Sequence, residues 1–250
     1  MKKFLFVDLD DTLFQSSGKC GPEEELHPAA FLKDGVACSY TTARQRAFLA
    51  MAQREMTLIP ATARNRDAFG RVGITFSDYV IVDYGGVVLA PGGEPDEFWL
   101  AKMRAAMAAA LPGLERIRDL IDAYAESSGL GGKARIIEDY GVPFYVVRKD
   151  PEKRSEPLEQ IEREVVAPWI AGEGREFFIH RNGNNLAILP KTLNKAHAVE
   201  YVRARLTEEH GQIVTFGMGD SASDARFMSA CDYAIVPSGT QLAKMTVAAL

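Results

Sequence analysis

Cysteine is scarce in this chain, with 3 in 250 residues, and tryptophan scarcer, with 2. Cys20, Cys38 and Cys231 are odd in number and widely spaced, which argues against both a disulfide framework and a thiolate zinc site. Free thiols suit a reducing compartment, so the expected location is cytoplasmic. No apolar run reaches the length of a membrane span. The short apolar stretch after Met1-Lys2-Lys3 is cut at Asp8, too soon for a signal peptide. Basic residues are outnumbered, 29 Lys and Arg against 34 Asp and Glu for a net charge of −5. Neither nucleic acid nor an anionic membrane is expected as a partner. Internal repeats and low-complexity linkers are also missing. What remains is 47% hydrophobic and 25% charged, the composition of a globular protein with enough chain for one large domain or two small ones.

Apolar runs with the look of buried parallel strands occur at Phe4–Val7, Thr57–Pro60, Tyr79–Val82, Ile213–Phe216 and Tyr233–Val236. Helical patterns at Thr42–Arg54 and Lys195–Leu206 separate some of them. This alternation predicts an α/β fold, a doubly wound parallel sheet. The middle of the chain follows a different grammar. A long helical segment spans Pro95–Ser128, with Pro112-Gly113 expected to kink or split it. After it come strand-like runs at Ala134–Glu138 and Phe144–Arg148, a charged helix at Glu156–Ala171, and runs at Glu176–His180 and Leu186–Leu189 around an Asn- and Gly-rich turn. The expectation is a core of residues 1–90 and 190–250 interrupted by an inserted α+β unit, 91–189, that acts as a lid.

The stretch Phe4-Leu5-Phe6-Val7-Asp8-Leu9-Asp10-Asp11-Thr12 drives an apolar strand straight into three acids. Phe216-Gly217-Met218-Gly219-Asp220-Ser221-Ala222-Ser223-Asp224 repeats the pattern of strand, glycine and acid. Ligands of open parallel sheets sit at the carboxyl ends of the strands, so Asp8, Asp10, Asp220 and Asp224 are expected to converge there. Four uncompensated carboxylates would repel one another. A hard divalent cation, Mg²⁺, which takes a few carboxylates together with waters and a phosphate, resolves the conflict. Thr62, after the strand-like Leu58-Ile59-Pro60, and Lys195, opening a helix, supply a hydroxyl and a cation for a phosphate group. These parts suit phosphoryl transfer, in which a carboxylate can be the nucleophile.

With these motifs in this order, the sequence resembles the haloacid dehalogenase superfamily of phosphatases. Asp8-Leu9-Asp10-Asp11-Thr12-Leu13 stands for the first motif and Ala61-Thr62-Ala63-Arg64-Asn65 for the second. Lys195 stands for the third, and Gly219-Asp220-Ser221 with Asp224 for the fourth. The position of the insertion resembles the branch with a large α/β cap, which includes sucrose-phosphate phosphatase and Cof-type sugar phosphatases. The resemblance implies a cytoplasmic Mg²⁺-dependent phosphoric monoester hydrolase of a small phosphorylated metabolite, a sugar phosphate, acting through an aspartyl-phosphate. It implies Asp8 as nucleophile, Asp10 as general acid/base that also gives a backbone carbonyl to the metal, and Asp220 and Asp224 at the metal. Thr62 and Lys195 would hold the phosphoryl group.

Arg64 and Asn65 from the core, and His180, Arg181 and Asn182 from the insertion, are the expected substrate contacts. Thr42-Ala43-Arg44 duplicates Thr62-Ala63-Arg64, but the first copy opens an amphipathic helix, where Thr41 or Thr42 reads as a cap. Lys191 competes with Lys195 from a strand exit. One departure from the family pattern is the long gap between Asp8 and Thr62, whose extra residues, Gln15–Tyr40 with a turn at Lys33-Asp34-Gly35, are expected to form a hairpin flap. Two rival readings stay open: a hexose phosphomutase sharing the same chemistry, and a non-catalytic module that binds a phosphate ligand.

Overall fold

The computed structural model describes residues 1–22 and 24–249. Along the chain the strands are β1 (Lys2–Val7), β2 (His27–Phe31), β3 (Ala37–Thr41), β4 (Thr57–Pro60), β5 (Val80–Val82), β6 (Val87–Leu89), β7 (Arg135–Asp139), β8 (Val142–Arg148), β9 (Phe177–Arg181), β10 (Leu186–Pro190), β11 (Ile213–Met218) and β12 (Tyr233–Ile235). The chain divides into two compact units. One combines residues 1–97 with those from 194 onward, and the other is Phe98–Leu193.

The first unit is built on a parallel sheet in the order β12-β11-β1-β4. Strand β1 is central and, from Phe4 to Val7, buried on both faces, which is why that stretch reads as an unbroken apolar run rather than an alternating one. Leu5 and Val7 join a core with Leu9, Leu13, Phe14, Leu58 and Met218. Phe4 and Phe6, also buried, point to the opposite face by the strand's period of two. The helix Lys195–His210 buries Ala198, Val199, Val202 and Leu206. The chain leaves β1 toward β4 on one side and returns toward β11 and β12 on the other, a doubly wound arrangement with its switch point beside β1.

Register sets what this edge displays. Val7 lies opposite Met218 on one side and Pro60 on the other. The amide of Asp8 donates to the Met218 carbonyl at 2.9 Å, and that of Ala61 to the Val7 carbonyl at 2.8 Å. Asp8, Gly219 and Ala61 therefore leave the sheet side by side, with Asp220 and Thr62 one residue further on.

The sheet extends beyond β4 through a bridge between Ala61 and Ile81. There β5 and β6 form an antiparallel hairpin. Strand β6, Val87-Val88-Leu89, was not expected from the sequence, because three residues are too few to show a period. The turn between these strands carries Gly85 at φ 96°. A Cβ there would lie 2.6 Å from the Asn194 carbonyl oxygen and 3.1 Å from the Lys195 Cα. Glycine thus lets this turn press against the start of the helix that begins with Lys195. Residues 90–96 close the hairpin, with Ala90 N–H donating to Glu94 and Asp96 N–H to Val88.

The extra residues after Asp8 form the hairpin β2–β3, which turns at Leu32–Val36 with Gly35 at φ 82°. It is tied to the rest of its unit at two places. Gln15 and Tyr40 exchange backbone bonds of 2.9 and 2.7 Å, while Phe31 N–H and Gly73 N–H bond the carbonyls of Arg71 and Ala29. Thr42 caps the helix Ala43–Glu55 in a reciprocal box with Gln45, so its hydroxyl is committed to the helix.

The second unit is an antiparallel sheet in the order β7-β8-β10-β9. One face is covered by Leu114, Ile117 and Ile121 of the helix Glu97–Ser127 and by Leu158, Ile161 and Trp169. The expected split at Pro112 does not occur: Glu97–Ser127 is one continuous helix. Proline removes a single N–H, and the carbonyl it frees is that of Ala108, an exposed residue that water can serve. Met107, Leu114 and Ile117 meanwhile stay buried on the packed face. The expected helix Glu156–Ala171 is helical throughout but widens to a π turn at Glu162–Val166, just ahead of Pro168. No helix among the described residues is long and apolar enough to cross a membrane.

Candidate active site

Three of the four acids expected to converge do so. Carboxylate oxygens of Asp8, Asp220 and Asp224 lie within 4.8 Å of one another. Lys195 stands among them, its Nζ 2.6 Å from Asp8 Oδ1 and 2.8 Å from Asp224 Oδ1, above the ring of Phe227. Asp224 Oδ2 also accepts from the amide and hydroxyl of Ser221. Thr12 bridges the two motifs. Its hydroxyl is 3.5 Å from Asp8 Oδ2 and 3.3 Å from Asp220 Oδ1.

The electrostatics follow from one buried ammonium among three carboxylates. Burial pushes the Lys195 pKa down, but Asp224 and Asp8 outweigh it and hold the ammonium above its ordinary value. Burial also raises Asp224, but Lys195 and the bonds from Ser221 bring it below the usual carboxylate range. Asp8 ends well above that range, because burial, together with the nearby Asp224 and Asp10, exceeds what the shared lysine returns. Asp220, desolvated and facing Asp224 and Asp11, is pushed up to about 6. The site is short of positive charge. Hard oxygen donors in this number, with one acid lacking a cationic partner, fit a divalent cation.

Asp10 is the acid that does not join the cluster. Its carboxylate turns to Arg64, whose Nε and Nη2 donate to Oδ2 and Oδ1, each at 2.7 Å. Arg64, expected at the substrate, is therefore committed to Asp10. Asn65 caps the short helix Arg66–Phe69 by accepting from Ala68 N–H at 3.0 Å. Thr62 is fully buried. Its own amide is spent on the Ile81 carbonyl, while its hydroxyl oxygen accepts from Arg64 N–H at 3.1 Å and keeps its proton to donate. Lys191, the competitor of Lys195, is exposed.

In the second unit, Arg181 shares a sheet face with Phe177 and Ile179 and bonds Glu159, Glu162 and Ser155. His180 projects from the opposite face by alternation. Asn182 closes the turn, its N–H donating to the Asn185 carbonyl. Thr12 lies inside the first motif, but its position in the sequence assigns it no role. Its role depends on the turn that folds residues 12–14 back onto the Leu9 carbonyl. Lys19 from the extra segment pairs with Asp11, a contact that no spacing announces.

Gly219 holds the cluster together by omission, since a Cβ there would sit 2.4 Å from Asp224 Cβ. Gly219→Ala is expected to lower stability by about 1–3 kcal/mol, the usual result of overpacking. A urea melt of the variant beside the parent protein measures this, and an unchanged midpoint contradicts the geometry.

Three solved structures illustrate the likeness of fold. The C-terminal domain of trehalose-6-phosphate phosphatase from C. albicans is 12% identical over 92% of this chain and 73% of its own, with a TM-score of 0.60. A protein from Thermoplasma acidophilum is 13% identical over 99% and 98%, with a TM-score of 0.51. The sucrose-phosphatase of Synechocystis, in complex with sucrose and phosphate, is 15% identical over 99% and 97%, with a TM-score of 0.49. At such identities the likeness concerns the fold alone. No curated protein matches the chain by sequence. The family model of sucrose-6F-phosphate phosphohydrolase, in contrast, matches residues 1–247, and with a match of that length the chain belongs to this family of haloacid dehalogenase phosphatases, enzymes that hydrolyse phosphoric monoesters.

Proposed function

We propose that this enzyme hydrolyses the phosphate ester of a small sugar, a phosphorylated disaccharide or hexose, through an aspartyl-phosphate on Asp8, with Mg²⁺ held by Asp8, Asp220 and Asp224. The observation that carries the reading is the placement of the Asp8 carboxylate at the end of the central strand, against the Lys195 ammonium and beside two further acids. The family's name, together with that of the C. albicans trehalose-6-phosphate phosphatase of like fold, supports a sugar phosphate.

In this reading an Asp8 oxygen attacks phosphorus in line. The bond from phosphorus to the sugar oxygen breaks, its electron pair stays on that oxygen, and Asp10 supplies the proton. Water then attacks the phosphoryl group, its proton passes to Asp10, and the bond from Asp8 to phosphorus breaks. The sum is ester plus water giving sugar plus phosphate, with both acids restored. Lys195 and the Thr62 hydroxyl hold the transferring group and offset charge on its oxygens. Mg²⁺, when bound, adds further positive charge at the phosphoryl oxygens. The second unit selects the sugar, with His180 and Asn182 as its contacts, and the chain works in the cytoplasm.

The test is phosphate release by purified protein with Mg²⁺ from sucrose 6-phosphate, trehalose 6-phosphate and hexose phosphates. Steady release from at least one is expected. Isomerised hexose phosphate with little free phosphate identifies a mutase instead, and no reaction with any of them defeats the proposal.

A further inference from the structure

We infer that Arg64 is the positioning residue for Asp10, a guanidinium fork that fixes the angle of the carboxylate, and not a substrate contact. This rests on the role of Asp10 in the reaction proposed above. The terminal torsion of an aspartate is broad and roughly two-fold, so an unsupported Asp10 would sweep its oxygens through a wide arc. Proton transfer needs one of them within about 2.6–3.2 Å of the leaving oxygen. Two parallel bonds of 2.7 Å from Nε and Nη2 lock both oxygens in one plane, and each oxygen keeps a lone pair for other work.

The fork is itself held from several sides. Arg64 Nη1 lies 3.4 Å from the Ala68 carbonyl, and its guanidinium carbon sits 5.2 Å above the Phe14 ring. Its own amide bonds Thr62 Oγ1 at 3.1 Å, and its carbonyl accepts from Asp83 N–H at 2.8 Å. The Arg64 side chain is 15% exposed while that of Asp10 is 40% exposed. The acid faces outward and its holder lies behind it. A guanidinium with three of its N–H directions already directed at protein oxygens, and its carbon over an aromatic ring, has little left to offer a sugar.

A group that acts through the general acid should matter in proportion to how much the leaving group needs a proton. A sugar alkoxide needs one, whereas p-nitrophenolate leaves without help. Arg64→Ala and Arg64→Lys are therefore compared on the best sugar phosphate and on p-nitrophenyl phosphate. On the sugar phosphate, kcat is expected to fall on the order of 10²-fold for both variants, since general acid catalysis is worth roughly 10²–10⁴ and lysine cannot form the fork. On p-nitrophenyl phosphate the fall is expected to stay under about tenfold. KM and inhibition by inorganic phosphate should barely change. In an Asp10→Ala background, Arg64→Ala should add no further loss on the sugar phosphate, because neighbours that act as one unit are not additive. If Arg64→Ala does not fold, Arg64→Lys carries the same comparison. Equal losses on both substrates, a KM that rises for the sugar phosphate alone, or a full additional loss on Asp10→Ala each overturns the inference. A parent enzyme inert on every sugar phosphate instead defeats the proposed function.

Discussion

Asp8→Asn is expected to reduce phosphate release on the order of 10³-fold or more, as loss of a covalent nucleophile does in other enzymes. Asparagine keeps the shape of the side chain and can still meet the Lys195 ammonium, but its amide oxygen is a poor nucleophile toward phosphorus. The fold should survive. Lys195 retains its bond to Asp224 at 2.8 Å, so the buried ammonium is not left alone. Substituting Asp8 also takes one carboxylate out of a buried site where burial and its acidic neighbours already oppose the charge. Thermal stability should therefore hold or rise, in line with the tension between activity and stability at functional sites. Phosphate release and a melting curve from the same preparation, checked for deamidation by mass spectrometry, measure both effects. Turnover near that of the parent, in protein free of restored aspartate, removes Asp8 from the nucleophile's role.

Such a substitution could be chosen from the sequence alone because β1, β4 and β11 announce themselves. Phe4–Val7, Thr57–Pro60 and Ile213–Phe216 are apolar at every position or nearly so, and buried parallel strands need no alternation to show. The first acid after such a strand must leave the sheet at its carboxyl end, so Asp8 and Asp220 were legible as neighbours although 212 residues separate them in the chain. The orientation of Asp10 was not legible. It depends on an arginine 54 positions away that meets it only because Val7 pairs with Pro60. Thr12 was hidden for a related reason, since a hydroxyl between two motifs acquires a role only once the turn after Leu9 folds it back. Pro112 misled in the opposite direction. The local rule against proline inside a helix lost to the burial of Met107, Leu114 and Ile117 on either side of it. Arg181 looked like a ligand contact because it sits by a turn. The period-two alternation of β9 instead aims it at Glu159 and Glu162 of its own unit.

Removing divalent metal is expected to abolish turnover, and restoring Mg²⁺ to recover it. Three carboxylates within 4.8 Å of one another share one ammonium, which bonds Asp8 and Asp224 but not Asp220. Among the described residues the Asp220 carboxylate meets the Thr12 hydroxyl at 3.3 Å and no cationic partner, and its pKa is pushed up to about 6 by burial and by Asp224 and Asp11. A cation that binds the folded protein and not the unfolded chain adds stability by mass action, about 2.7 kcal/mol at a hundred times its dissociation constant. Mg²⁺ should accordingly raise the melting temperature in the absence of any substrate, and Asp220→Asn should blunt that rise. Ca²⁺ should also bind and stabilise but support little turnover, since it favours more oxygen ligands and a looser geometry than in-line attack tolerates. The measurements are phosphate release after exhaustive chelation, again after adding each metal, and melting curves under the same conditions. Full activity in chelated protein, or a melting temperature indifferent to Mg²⁺ at every concentration up to the millimolar range, would show that the three acids serve some purpose other than holding a cation.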